Sequence, residues 1–113
     1  MKILQISELA IPEIKIIRYL KINDERGYFS ETFNINAIKK ECDFLNDFLI
    51  KQSNESFSFS NTLRGLHHQK GMGKLIRLIY GKVIDFALDL RPNSPTFKHI
   101  VSYELLSTCE YCE

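Results

Sequence analysis

This chain of 113 residues has no run of like charge, and no apolar stretch approaches the length needed to cross a membrane. The first absence, with a net charge of +1, argues against nucleic acid as the main partner, so any anion site must be local. The second, with Gln5, Ser7 and Glu8 interrupting the apolar residues of Met1 to Ala10, argues against a signal peptide or a membrane partner. A soluble, cytoplasmic protein is expected. Cysteine is scarce: Cys42, Cys109 and Cys112 are an odd set without a disulfide framework. Cys109 and Cys112 have CxxC spacing, but no second pair, nor a histidine pair at suitable spacing, supplies the rest of the roughly four ligands zinc needs. A redox CxxC usually opens a helix after a strand, and this one sits at the end of the chain. No metal site is therefore expected. Internal repeats, low-complexity tracts and linkers are also lacking, so residues 1–113 are expected to form one domain.

What is present reads mostly as β-structure. Glu13 to Lys21 is rich in β-branched and aromatic residues, with Pro12 at its entrance, and predicts a strand. Asn23 to Gly27 is a charged turn in which Gly27 is expected at positive φ, and Tyr28 to Phe33 resumes an extended pattern. The spacing of Ile38, Cys42, Leu45 and Leu49 predicts a helix over 36–48, capped by Asn34 or Asn36. Further strands are expected at Phe48 to Gln52, Leu63 to Gln69, Lys74 to Tyr80, Val83 to Leu90 and Phe97 to Leu106, separated by Gly, Asn, Ser and Pro. Short strands at this spacing suggest a sandwich or barrel.

The chemistry is concentrated in Asn61 to Gln69 (NTLRGLHHQ) and Gly73 to Arg77 (GKLIR). Strand alternation puts His67 on the face of Gly65, whose missing side chain leaves room for a small molecule, and turns His68 away. If the two segments pair across the turn between Gln69 and Gly73, His67 and Lys74 meet over one pocket. A base and a cation so placed can remove a proton next to a ketone and hold the resulting enolate. Ideal alternation sends Arg64 to the other side, so that a bulge at Gly65, or a contribution of Arg64 to another pocket, would be needed. Read from pattern alone, His67 is open between a base and a packed or solvent-facing histidine. Lys74 is likewise open between a catalytic cation and an edge charge that discourages aggregation. The polar clusters from Asp24 and from Gln52 are, by themselves, a hairpin turn and a loop.

Together the blocks DERGYFSE from Asp24, QSN from Gln52, LRGLHHQ from Leu63, GKLIRLIYGKVIDFALDLR from Gly73 and SPTF from Ser94 resemble the sugar-nucleotide 3,5-epimerase family, typified by dTDP-4-dehydrorhamnose 3,5-epimerases. They occur in the family's order, from near the start to about Leu106. The resemblance implies an all-β, cupin-like jelly roll with one short helix, a homodimer with exchanged strands, and no metal or other cofactor. It implies a dTDP-linked 4-keto-6-deoxyhexose as substrate, deprotonated at C3 and C5, in deoxysugar and surface-polysaccharide biosynthesis. By motif position His67 is the proton acceptor, Lys74 stabilises charge on the C4 oxygen, and Arg64 contacts substrate. Arg26, Glu31, Gln52 and Asn54 match positions that bind the nucleotide portion or close the site. Ser53 stands where the family usually has Asp. Asp85 and Asp89 also fit the family pattern and are assigned a structural role here. From Ser107 to Glu113 the chain stops resembling the family. No residue matches the family's proton-returning Tyr or the Asp that orients the catalytic His. A jelly roll incomplete at the C-terminus is therefore expected, as is a choice between an epimerase homologue and a catalytically inactive, sugar-nucleotide-binding remnant.

Overall fold

In the computed structural model, which describes residues 1–42, 47, 49–108 and 111–113, the chain forms antiparallel strand pairs and one short helix. β1 (Ile3–Glu8) and β2 (Lys15–Leu20) make the first hairpin, with Glu8 opposite Lys15 and the two side chains ion-paired. Opposite charges facing each other across two strands favour that register. β2 lies inside the strand expected from 13 to 21. Its residues Ile16 and Tyr19, on opposite faces by alternation, are both buried, so β2 is covered on both sides.

β3 (Ile22–Asp24) and β4 (Gly27–Phe29) flank the charged turn. The Asp24 carboxylate accepts from the Arg26 backbone N–H at 2.9 Å, and Gly27 has φ +133°, the positive value expected of it. α1 spans Ile35–Glu41, shorter than the expected 36–48. Asn34 caps it, accepting from the Ala37 N–H at 3.1 Å, and Ile38 is its buried residue. Leu45 and Phe48, which supported a longer helix, lie outside the described residues.

β5 (Lys82–Leu88) pairs with β6 (Ile100–Leu106), with Asp85 opposite Tyr103. The connection between them turns on Asp89, 5% exposed. Its carboxylate accepts from the Arg91 N–H and guanidinium and from the Thr96 hydroxyl, which stitches the Arg91–Thr96 loop closed. β7 (Tyr111–Cys112) joins the free edge of β2. The described strands thus make three sheets, ordered β1-β2-β7, β3-β4 and β5-β6. A mostly antiparallel β chain with one short helix is the class expected and the material of a cupin-like jelly roll.

The strands expected at 48–52, 63–69 and 74–80 are not formed among the described residues. Residues 49–81 carry no helix or strand, and 49–77 are exposed throughout. The turn between the last two segments survives, with Met72 N–H donating to the Gln69 carbonyl. Local turn chemistry needs only nearby atoms, whereas a strand needs a partner for its ladder and a covered face for its apolar side chains.

Among the described residues, the buried hydrophobic ones are Ile11, Ile16, Tyr19, Ile38, Cys42 and Leu105. The accessible surface is 9251 Å², against roughly 6,400 Å² for a compact monomer of this mass. The excess is largely apolar: Phe57, Phe59, Leu63 and Tyr80 are each at least 76% exposed, and Ile84 and Phe86 on β5 about half exposed. Among the described residues no helix is long and apolar enough to cross a membrane.

Candidate functional site

The seven residues singled out by sequence all lie on exposed backbone. Arg26 is at the tip of the β3–β4 hairpin, where its guanidinium binds Asp24 at 2.6 Å. That pairing pushes the Arg26 pKa up and holds the Asp24 carboxyl below its ordinary value. Glu31, just before α1, accepts from the Asn34 amide at 3.0 Å and pairs with the amino group of Met1. Gln52 and Asn54 bond each other at 3.0 Å. Arg64 donates to the Ser58 hydroxyl at 2.9 Å and to the Phe57 carbonyl at 3.2 Å, folding 57–64 into a local bend. Asn61 takes φ +64° within that bend and Gly65 takes φ +116°. No ladder runs through Gly65, so there is no bulge there.

His67 and Lys74 flank the turn at 69–72. Among the described residues neither makes a hydrogen bond or ion pair, and both are exposed. The alternation that was to bring them over one face has no sheet beneath it. That is a correction to the expected hairpin. The structure groups the candidates locally: Arg26 with Asp24, Gln52 with Asn54, and Arg64 with Phe57 and Ser58. None of the seven lines either of the two described cavities. The two described cavities are lined instead by Glu13 with 91–95, and by Lys21, Tyr28, Arg77–Ile79, Leu106–Thr108 and Tyr111–Glu113.

The most highly connected polar groups lie elsewhere. Asp89 is held well below the usual carboxylate range by Arg91, then by Ser94 and Thr96. Arg91 is pushed up by Asp89 and by Glu13, with which it is ion-paired. The second group is Arg18, Tyr103 and Glu113. Glu113 pushes the Arg18 pKa up, and burial, then Glu113, raises that of Tyr103. Sequence reasoning missed this group because 85 and 95 positions separate Arg18 from its partners. No spacing rule reaches so far. Tyr19 beside it is raised to about 12 by burial, and its hydroxyl lies near Cys112 and Arg77 without completing a hydrogen bond. Among the described residues no group of His, Cys, Asp and Glu is placed to hold a metal ion, and Cys109 lies outside them.

Comparison with known proteins supplies what this geometry leaves open. A family model described as dTDP-4-dehydrorhamnose 3,5-epimerase matches residues 8–110. A dTDP-4-dehydrorhamnose 3,5-epimerase of Pseudomonas aeruginosa is 40% identical over 101 residues, covering 88% of this chain and 55% of the relative. The protein of that name from Salmonella typhimurium is 40% identical over 99 residues, covering 85% and 53%. That of Methanothermobacter thermautotrophicus is 53% identical over 76 residues, covering 66% and 40%. No solved structure matches. The chain spans about half the length of the relatives it matches. With a match from residue 8 to residue 110 that takes in every candidate from Arg26 to Lys74, the chain belongs to the dTDP-4-dehydrorhamnose 3,5-epimerase family.

Proposed function

We propose that this chain acts in 3,5-epimerisation of a dTDP-linked 4-keto-6-deoxyhexose, in the route to dTDP-rhamnose and surface polysaccharide. The carrying observation is that the family match encloses all seven candidate residues within one uninterrupted stretch. His67 is the base that removes the proton at C3 or C5. Each carbon adjoins the C4 ketone, so the electrons of the broken C–H bond move onto O4, where Lys74 offsets the charge. Arg64 holds the sugar, while Arg26, Glu31, Gln52 and Asn54 hold the nucleotide. Inversion is completed when a proton reaches the same carbon from the opposite face and, with no residue here matching the family's Tyr, solvent water supplies it; the reaction consumes no oxidant or reductant and needs no metal or other cofactor.

Assembly of the site requires the 49–81 arm to gain a partner. The exposed apolar residues Leu63, Leu66, Leu75, Ile76 and Ile79 supply a surface for this, and a second copy of the chain, as a homodimer, is the occupant we favour. A second reading is favoured by the same exposure: a chain that binds the sugar nucleotide without turning it over.

Incubation with the 4-keto sugar nucleotide in heavy water separates these readings. An epimerase incorporates deuterium at C3 and C5 with inversion, and His67→Ala lowers incorporation by roughly 10²–10⁴-fold. Binding without deuterium incorporation selects the second reading. Exchange undiminished in His67→Ala refutes the role given to that histidine.

A further inference from the structure

Three groups far apart in sequence meet at one carboxylate. Glu113 accepts from Arg18 Nε at 2.7 Å and from the Tyr103 hydroxyl at 2.9 Å, and its side chain is 5% exposed. Arg18 belongs to β2 and Tyr103 to β6, strands of two different sheets. The Arg18 guanidinium also lies 4.9 Å from the centre of the Tyr111 ring. Immediately before Glu113, Cys112 and Tyr111 pair with Tyr19 and Leu20 of β2. A strand of two residues is too short to hold its place by ladder bonds alone. Charge-assisted bonds at its end are the stronger restraint, so its docking depends on the Glu113 carboxylate.

Tyr111–Glu113 help to line a small cleft, together with Lys21 and Tyr28, at the base of the hairpin that carries Arg26, and Arg77–Ile79, just beyond Lys74. With Tyr111–Glu113 in place the remaining cavity is about 20 Å³, roughly room for one water.

We propose that Tyr111–Glu113 is a releasable latch that closes this cleft, with Glu113 as the group that holds it down. Glu113 lies outside the family match, which ends at residue 110. Released, the latch opens a cleft bordered by Lys21 and Arg77 and lets the Arg26 hairpin move independently of the segment after Lys74. Its bearing on catalysis rests on the epimerase reading; its existence does not.

Native-state amide exchange tests it without any activity measurement. Leu20 N–H bonds to the Lys2 carbonyl, so alternation turns the Tyr19 N–H toward Cys112. In the wild-type chain Tyr19 should exchange about tenfold or more faster than Leu20, through an opening that leaves β1–β2 intact. Glu113→Gln should speed Tyr19 by about tenfold again while leaving Leu20 nearly unchanged. A common rate for both amides in the wild type, or a Tyr19 rate indifferent to Glu113→Gln, overturns the latch. If the variant loses protection at both amides, the wild-type ratio decides: well above one upholds the latch, near one overturns it.

Discussion

Replacing Ile38 by Ala measures how much of this fold rests on a single side chain. Ile38 is 2% exposed, and it is the buried residue on α1, the helix that packs against β1. Ile to Ala deletes three carbons, at roughly 0.8 kcal/mol each about 2.4 kcal/mol of transfer free energy. Incomplete collapse of the site adds a cavity contribution that brings such changes to roughly 2–5 kcal/mol. Ala is the better helix former by about half a kcal/mol, which offsets a little of this. The net expectation is a loss of about 3 kcal/mol, a large share of the roughly 5 kcal/mol at the lower end of domain stabilities. Urea unfolding followed by far-UV circular dichroism and tyrosine fluorescence, the chain having no Trp, reads it directly. With a slope of roughly 1–1.5 kcal/mol per molar, the midpoint should fall by about 2–3 M. A loss below about 1 kcal/mol, the scale of surface substitutions, would mean that α1 does not hold to β1 through Ile38.

Asn34→Ala removes the oxygen that accepts from the Ala37 N–H, and should cost about 1 kcal/mol in the same assay, with Asn34→Gly costing less. Asp89 has its folded pKa depressed by Arg91, Ser94 and Thr96, so its contribution is complete above about pH 4 and lost as pH falls further; Asp89→Asn should flatten that acid limb of the stability profile. Tyr19 has the opposite sign. Its folded pKa is raised to about 12, so its contribution is complete below about pH 10 and is lost on approach to the higher value. Phenolate absorbance during alkaline titration should show tyrosines ionising late, Tyr19 and Tyr103 among them, and Tyr19→Phe should remove one of them.

Much of this protein was legible where the determining atoms are close in sequence. Asn34 caps a helix because its side chain reaches an N–H three residues on, and Gly27 turns because it has no Cβ. The strands at 15–20 and 100–106 fall within segments marked by their β-branched residues and bounding turns, and that at 82–88 begins one residue before the expected start at Val83. The candidate residues were named from motif, His67, Lys74 and the other five all falling within the family match, whereas periodicity alone left His67 and Lys74 open.

The amino-acid sequence by itself determined the family, the β class, the turns and the cap, since each depends on residue identity or on contacts within a few positions. Only the tertiary structure decided that 63–69 and 74–80 find no strand partner, and that Arg18, Tyr103 and Glu113 converge. A strand exists only when another chain segment satisfies its backbone, and a buried carboxylate only when distant donors arrive at it. Both conditions are set by non-local packing, which no local pattern of residues encodes.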